Sequence, residues 1–474
     1  PSRGVLGNRI VAGLVRSYGL LGASSVGRQI LDRLPVGALD LLSRLLNRVH
    51  RRVMEGDRER LGPYDGPNVL VLHAHWNNRG DEAATRAMVR ALRDRLPVAR
   101  MSVMLMTAET ARFPEPGVAV IPRYPWPRLA YLDAVLTLFT WGRLSLTRRG
   151  RRFLAAARSA DLVIHAPGGP SIGDLYGGRT GDLPYLYRLY ITSAVLRKPF
   201  FIYAASMGPF TNTVMNRLRR AVLSRASGIV VRDEVSASYL REQLGVASQV
   251  AADSALQDPV PTSASATTPG LDGLLERLTR HKYVGLVVSD LKWHPRHRED
   301  QATADRIIQA FRGLIRHLAQ EGYRVLVVPQ VFESWIDSGV PEALSAAAPE
   351  IVEVLADDLD SDDQQYIIGK LYCMISLRYH PVVFAAKASV PFVAVTYEHK
   401  SEDFIRRLGL SEYAIRAENV GEQQLIDRFR AVEEHHEELT RRIGRLVGDL
   451  VEESRVTTDR VAAASWCQAS GSAH

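Results

Sequence analysis

Arg378, His380 and Lys400 are the residues best suited to chemistry on an anion, and one apolar stretch, ISLRYHPVVFAAKASVPFVAVTYEHK (375–400), carries all three. An arginine fork holds a phosphate or carboxylate through two parallel N–H bonds, a lysine adds a point charge, and an imidazole can carry a proton near neutral pH. CMISLR (373–378) reads as a strand running into a helix. Proline's fixed φ and missing N–H suit the first helical position, so Pro381 is expected there, with His380 as the N-cap. The free N–H groups at such a helix start attract anions. A second strand, PFVAVTY (391–397), ends just before Lys400. Parallel strands joined by a helix end on one sheet edge, so Lys400 is expected to converge with Arg378 and His380. Lys387 falls within the helix and is expected to snorkel, and His399 reads as a solvated loop residue.

Other stretches place polar groups at strand exits. In HAHWNNRGDEAATRAMVRAL, residues 77–80 read as a loop, which brings Asn78 to the first strand end, and Asp81 is the expected cap of the next helix. Asp81 is also a possible proton acceptor. His73 and His75 alternate along their strand; without a third ligand nearby they read as packing or hydrogen-bonding residues rather than a metal site. Gly168 and Gly169 follow the strand DLVIHAP, where glycine lets backbone approach a ligand or make a tight turn. Arg232 ends the strand GIVVRD and Asp233 caps the helix after it. The chain has 60 Lys and Arg residues, yet only six are lysines, so Lys292 in SDLKWHPRH stands out as a further anion ligand.

Parallel strands must position these groups. Short apolar runs alternate with amphipathic helices from residue 68 to 244 and again from 282 to 409, which predicts an α/β fold of two doubly wound Rossmann-like domains facing a cleft. The expected boundaries are a helical extension over 1–62, an N-terminal Rossmann-like domain over 63–262, a C-terminal donor-binding domain over 263–419 and a helical tail over 420–474. The Pro-, Ser- and Thr-rich stretch 257–270 reads as the linker. The apolar residues of 1–62 recur at helical spacing with arginines between them; a docked extension is the first reading and a membrane-surface helix the second.

Composition narrows the function. With 474 residues, 46% hydrophobic and 24% charged, the chain can bury two cores. Two cysteines, Cys373 and Cys467, leave no disulfide framework or cysteine zinc site, which favours a cytoplasmic location, with peripheral membrane contact as the alternative. The net charge of +8 is scattered without aromatic interleaving, so a small anion is a better partner than nucleic acid. The first loop lacks the GxGxxG of a dinucleotide site.

Taken together, these residues resemble the polysaccharide pyruvyl transferase family. Asn78, Gly80, Asp81 and Glu82 match its N-x-G-D-E opening, residues 161–169 its strand and Gly-Gly, Arg232 and Asp233 its R-D, and Arg378, His380 and Lys400 its R-x-H and Y-x-x-K. The resemblance implies a fold like the two-domain glycosyltransferases and transfer of pyruvate from phosphoenolpyruvate onto two sugar hydroxyls as a cyclic ketal, without metal or other cofactor. On that reading His380 is the general acid, Arg378 and Lys400 hold the departing phosphate, Arg232 holds the donor carboxylate and Lys292 is a spare phosphate or acceptor ligand. The acceptor is sugar-containing: a lipid-linked glycan, a nucleotide sugar or a glycosylated small molecule. A nucleotide-sugar glycosyltransferase and a non-catalytic anion- or sugar-binding scaffold are the rival readings.

Overall fold

A computed structural model of the chain describes residues 66–97, 99–106, 113–124, 130–169, 171–176, 181–264, 270–333, 336–357 and 359–471. The helical extension expected over 1–62 lies outside these residues.

Continuous apolar runs form strands buried on both faces, as a parallel sheet requires. Val69, Leu70, Val71 and Leu72, for example, are all buried. The first sheet takes β1 (Asn68–Ala74), β2 (Arg100–Leu105), β3 (Val118–Pro122), β4 (Leu162–His165), β5 (Phe200–Ala205), β6 (Gly228–Val231) and β7 (Gln249–Val250) in the order β3-β2-β1-β4-β5-β6-β7. The second takes β8 (Tyr283–Val287), β9 (Arg324–Val327), β10 (Val352–Val354), β11 (Cys373–Ser376), β12 (Phe392–Thr396) and β13 (Ala414–Arg416) in the order β10-β9-β8-β11-β12-β13. Each pairing is parallel. The strand order reverses at β1/β4 and at β8/β11, and the crevice outside such a reversal is where doubly wound sheets bind ligands. The two reversals face each other.

Eight helices matter here: α1 (Arg79–Arg95), α2 (Ala130–Phe139), α3 (Arg148–Ser159), α4 (Leu183–Tyr190), α5 (Glu234–Tyr239), α6 (Tyr379–Lys387), α7 (His399–Arg407) and α8 (His436–Gly471). The helical tail crosses both domains: α8 lies against α1 and α6. Arg95 Nε pairs with Asp459 at 2.7 Å, Gln257 Nε2 donates to the Ser454 carbonyl at 2.6 Å, and Arg407 pairs with Glu453. Lys387 does not snorkel. Its ammonium is held inside, donating to the Ala255 carbonyl at 2.9 Å and Gln365 Oε1 at 2.8 Å, and burial pushes its pKa down to about 8.

A charge network joins the domains beside these helices. Arg86, buried on α1, pairs with Glu82 at 3.4 Å, Glu115 at 3.1 Å, Asp360 at 2.8 Å and Asp362 at 2.7 Å. Removing one member of such a set strands the others without water. Arg86→Met is expected to lower the free energy of unfolding in urea by about 3–5 kcal/mol. A loss below about 1 kcal/mol, the scale of a surface pair, means the network does not hold the domains together.

Candidate functional site

Helix α6 starts earlier than expected. Arg378 leaves β11 in an extended conformation (φ −98°, ψ 145°) and is itself the N-cap, so Tyr379 is the first helical residue, His380 the second and Pro381 the third. Proline is tolerated there because none of the first four N–H groups of a helix has an intrahelical partner. His380 therefore lies within the first turn rather than before it.

Helix α1 meets it head-on. Its cap is Asn78, whose Oδ1 accepts from Gly80 N at 2.9 Å and Asp81 N at 3.4 Å. Asp81 is not the cap; it lies in the first turn and lines the cleft. A methyl at Gly80 would stand 1.9 Å from His380 Nδ1, so only glycine lets the two helix starts touch. Gly168 serves Asp81 in the same way: its φ of +139° suits glycine, and a Cβ there would come within 3.0 Å of the Asp81 carboxylate.

The cleft between the sheets has a volume of about 370 Å³, and Asn78, Asp81, Gly169, Arg378, His380 and Lys400 all line it. Arg378 pairs with Asp337 and stacks its guanidinium 4.7 Å over the Trp293 ring. Lys400 pairs with Glu398 at 2.5 Å. Burial alone would raise the Glu398 carboxyl, but the Lys400 charge and bonds from His294, Lys400 and Tyr176 outweigh it and hold it well below the usual carboxylate range. His399, expected in a loop, is the first residue of α7, with Nε2 3.4 Å from Asp233. Asp233 caps α5 as expected, accepting from Ser236 N at 2.8 Å.

Arg232 does not line the cleft. It lies behind His380, fully buried, paired with Asp253 at 2.6 Å and donating to Ser206 Oγ at 2.9 Å. Its Nη1 is 3.4 Å from His380 Nε2. A guanidinium only donates, so Nε2 accepts and the proton of a neutral imidazole is on Nδ1. His380 is neutral in this state: burial, partly countered by Asp253 and reinforced by Arg232, pushes its pKa down to about 4. Lys292 is absent from the lining too, half-exposed and 3.7 Å from Asp290. Trp293, the next residue, reaches the cleft in its place.

The opposite wall comes from the first sheet. The strand irregularity between Val71 and Ala74, with His73 at φ 71°, breaks the alternation that would set His73 and His75 on one face. His73 is buried against His165 and Tyr185, whereas His75 lines the cleft with its Nε2 3.4 Å from the Tyr185 hydroxyl. No metal-binding cluster of three or more His, Cys, Asp or Glu residues forms among the described residues. Residues missed in the sequence are Tyr176, Trp293, Arg298, Tyr185 and the carboxylates Asp253, Asp337 and Glu398. SDLKWHPRH, which contains Trp293 and ends one residue before Arg298, was the one local signal.

Comparison with known proteins agrees with this layout. The family described as polysaccharide pyruvyl transferase matches residues 78–399. The amylovoran biosynthesis protein AmsJ of Erwinia amylovora is 23% identical over 323 residues, covering 66% of this chain and 74% of that protein. Among solved structures, Anabaena Alr3699/HepE in complex with UDP and glucose is similar at TM-score 0.51 and 16% identity, over 84% of this chain and 99% of that one. A glycosyltransferase from Rickettsia africae ESF-5 reaches TM-score 0.50 at 9% identity, over 85% and 97%. Such identities speak for the two-domain glycosyltransferase fold alone. The family match runs from the Asn78 cap to His399 and takes in both facing helix starts, and the chain belongs to the polysaccharide pyruvyl transferase family.

Proposed function

We propose that the chain transfers pyruvate from phosphoenolpyruvate onto two hydroxyls of a sugar-containing acceptor, forming a cyclic ketal. The observation that carries this reading is the meeting of Arg378, His380, Lys400 and Asp81 in one cleft at two facing helix starts. Both helix ends favour an anion, and the two cations suit a small ligand with a phosphate and a carboxylate. Membership of the family and the relative acting in amylovoran biosynthesis support polysaccharide assembly as the setting.

The chemistry uses these residues as follows. His380 delivers a proton to the methylene carbon of the donor while a sugar hydroxyl attacks the adjacent carbon and loses its proton to Asp81. The tetrahedral adduct expels phosphate, whose negative charge Arg378 and Lys400 stabilise. A second hydroxyl of the same sugar closes the ring, and its proton leaves with phosphate. Atoms balance as one donor and one diol giving one ketal and one phosphate, with no change of oxidation state. Arg232, closed behind His380 by Asp253, serves as a positioning residue. The acceptor has the His75 and Tyr185 wall.

His380→Ala is expected to lower kcat/KM for phosphoenolpyruvate by about 10²–10⁴ without loss of fold, the usual worth of a general acid. Arg378→Ala should raise KM for the donor as well. Phosphate release in the presence of candidate acceptors, with mass spectrometry for the ketal adduct, measures both. Unchanged rates in the two variants would sink the assignment. Tight binding of UDP together with no turnover of phosphoenolpyruvate would point to nucleotide-sugar chemistry.

A proton balance tests the acid directly. In the free chain His380 has its pKa pushed down to about 4 by burial, and a bound polyanion raises it. Between the free and bound values binding takes up a proton, so donor affinity falls as pH rises through that window. Calorimetry of phosphoenolpyruvate binding at pH 6 in buffers of different ionisation enthalpy should show wild type taking up close to one proton more than H380Q. Equal uptake in the two chains removes His380 as the acid.

A further inference from the structure

Helix α2 is built inside out. Its buried residues are Asp133, Ala134 and Thr137, whereas Leu132 is 66% exposed and Phe139 50%, with Val135 and Leu136 half-exposed between them. Leu132, Val135, Leu136 and Phe139 recur at i, i+3, i+4 and i+7, so one apolar stripe faces away from the protein. The turn after it continues the face with Trp141 at 54% and Leu146 at 60%. Of the nine large hydrophobic side chains left exposed among the described residues, five lie within residues 131–146. Scattered exposed apolar residues need no explanation, but a contiguous group marks an interaction site.

The turn is held rigid from below. The Asp133 carboxylate accepts from Ser145 Oγ at 2.7 Å, Leu146 N at 2.5 Å and Thr147 Oγ1 at 2.6 Å. Thr137 Oγ1 donates to the Leu144 carbonyl at 3.0 Å, and Arg151 Nη1 to that of Leu146 at 2.8 Å. Thr147 then caps α3. A buried carboxylate therefore fixes a hairpin whose tip is tryptophan and leucine.

The charge around this tip has one sign. Residues 130–159 hold six arginines and a single acidic residue, Asp133, which is turned inward. Arg143, Arg148, Arg151 and Arg152 are exposed.

We infer that the α2–α3 hairpin is a docking surface for the anionic face of a lipid bilayer. Apolar side chains inserted at headgroup depth and arginines on lipid phosphates are the two contacts an interfacial anchor needs. A second copy of the chain fits poorly, because a self-complementary contact would set arginines against arginines with no carboxylate to meet them. No helix among the described residues is long and apolar enough to cross a membrane, so the contact is with the bilayer surface. The hairpin rests on α4, where the Tyr187 hydroxyl donates to the Ala134 carbonyl at 3.4 Å, and Tyr185 of that helix lines the cleft. Docking would leave the cleft one helix away from the lipid.

The test is sedimentation of the full chain with vesicles of equal parts phosphatidylglycerol and phosphatidylcholine, and with phosphatidylcholine alone. Binding is expected to the anionic vesicles and to weaken with salt. L132E/W141E/L146E and R143E/R148E/R152E should each lower the partition coefficient at least tenfold, since a basic residue near such a surface is worth about a fivefold change. R143K/R148K/R152K should keep it. Thermal unfolding of each variant confirms the fold. Undiminished binding by both glutamate variants overturns the proposal and moves the contact to the basic stretch 1–62. Absence of vesicle binding overturns it, as does a wild-type dimer that L132E/W141E/L146E splits without change in vesicle binding.

Discussion

The approach of Gly80 to His380 is the contact on which the site depends. It brings two helix starts from opposite sheets to van der Waals distance, so the partial positive charges of both fall on one small volume. Bonds across the domains hold the approach: Arg79 N donates to the Gln330 carbonyl at 3.0 Å and Arg79 Nε to that of Leu359 at 2.7 Å. Beneath it, Asp253 and Arg232 fix the imidazole from the first domain's side. A side chain at position 80, or a shift of either sheet, would separate the imidazole of His380 from the carboxylate of Asp81.

Charge in and behind the cleft is arranged in compensated pairs. Arg378 has Asp337, Lys400 has Glu398 and Arg232 has Asp253, so none of these cations waits alone for a ligand. Pairing fixes the long side chains beforehand, and binding then immobilises little more. It does not exhaust them, because a guanidinium has five donors and an ammonium three. His380 stays neutral in this field. A unit charge about 4 Å away is worth about 4 kcal/mol at an effective dielectric near 20, and one pKa unit is about 1.4 kcal/mol. An anionic ligand in contact can therefore lift the imidazole by about three units from its value of about 4, to the edge of neutrality. Such a ligand and a proton would then arrive together.

What was legible in the sequence follows from what local pattern encodes. Long apolar runs separated by amphipathic segments announced two parallel α/β units, and strand exits placed Arg378, His380 and Lys400 on one edge. The short edge strands β3, β7 and β13 were missed, since two to five half-exposed residues carry no distinct period. Helix starts slipped by a few residues: Pro381 was read as the first helical position and Asp81 as a cap, although both lie inside a first turn whose free N–H groups tolerate either arrangement. Partners were out of reach altogether. Asp337 meets Arg378 across 41 residues and Glu398 meets Tyr176 across 222, distances over which no spacing rule operates. The same blindness sent Arg232 into the cleft on paper, when Asp253 keeps it behind the histidine.

The domain contacts also bear on how a large acceptor reaches the cleft. Arg86 and Arg90 tie α1 to Asp360 and Asp362, Lys387 is plugged between Ala255 and Gln365, and α8 runs over both domains. Rotation that opened the cleft would withdraw Gly80 from His380 and also unpair buried charges, each of which is costly to leave without a partner. Entry through the open mouth needs none of this. Trp293 and Tyr176 stack at 5.9 Å on one lip and Tyr185 stands beside His75 across from them, which gives the mouth the apolar, flat-sided walls on which a sugar ring can lie. An extended glycan could thus present one terminal residue to the fixed helix starts while the rest of it stays outside.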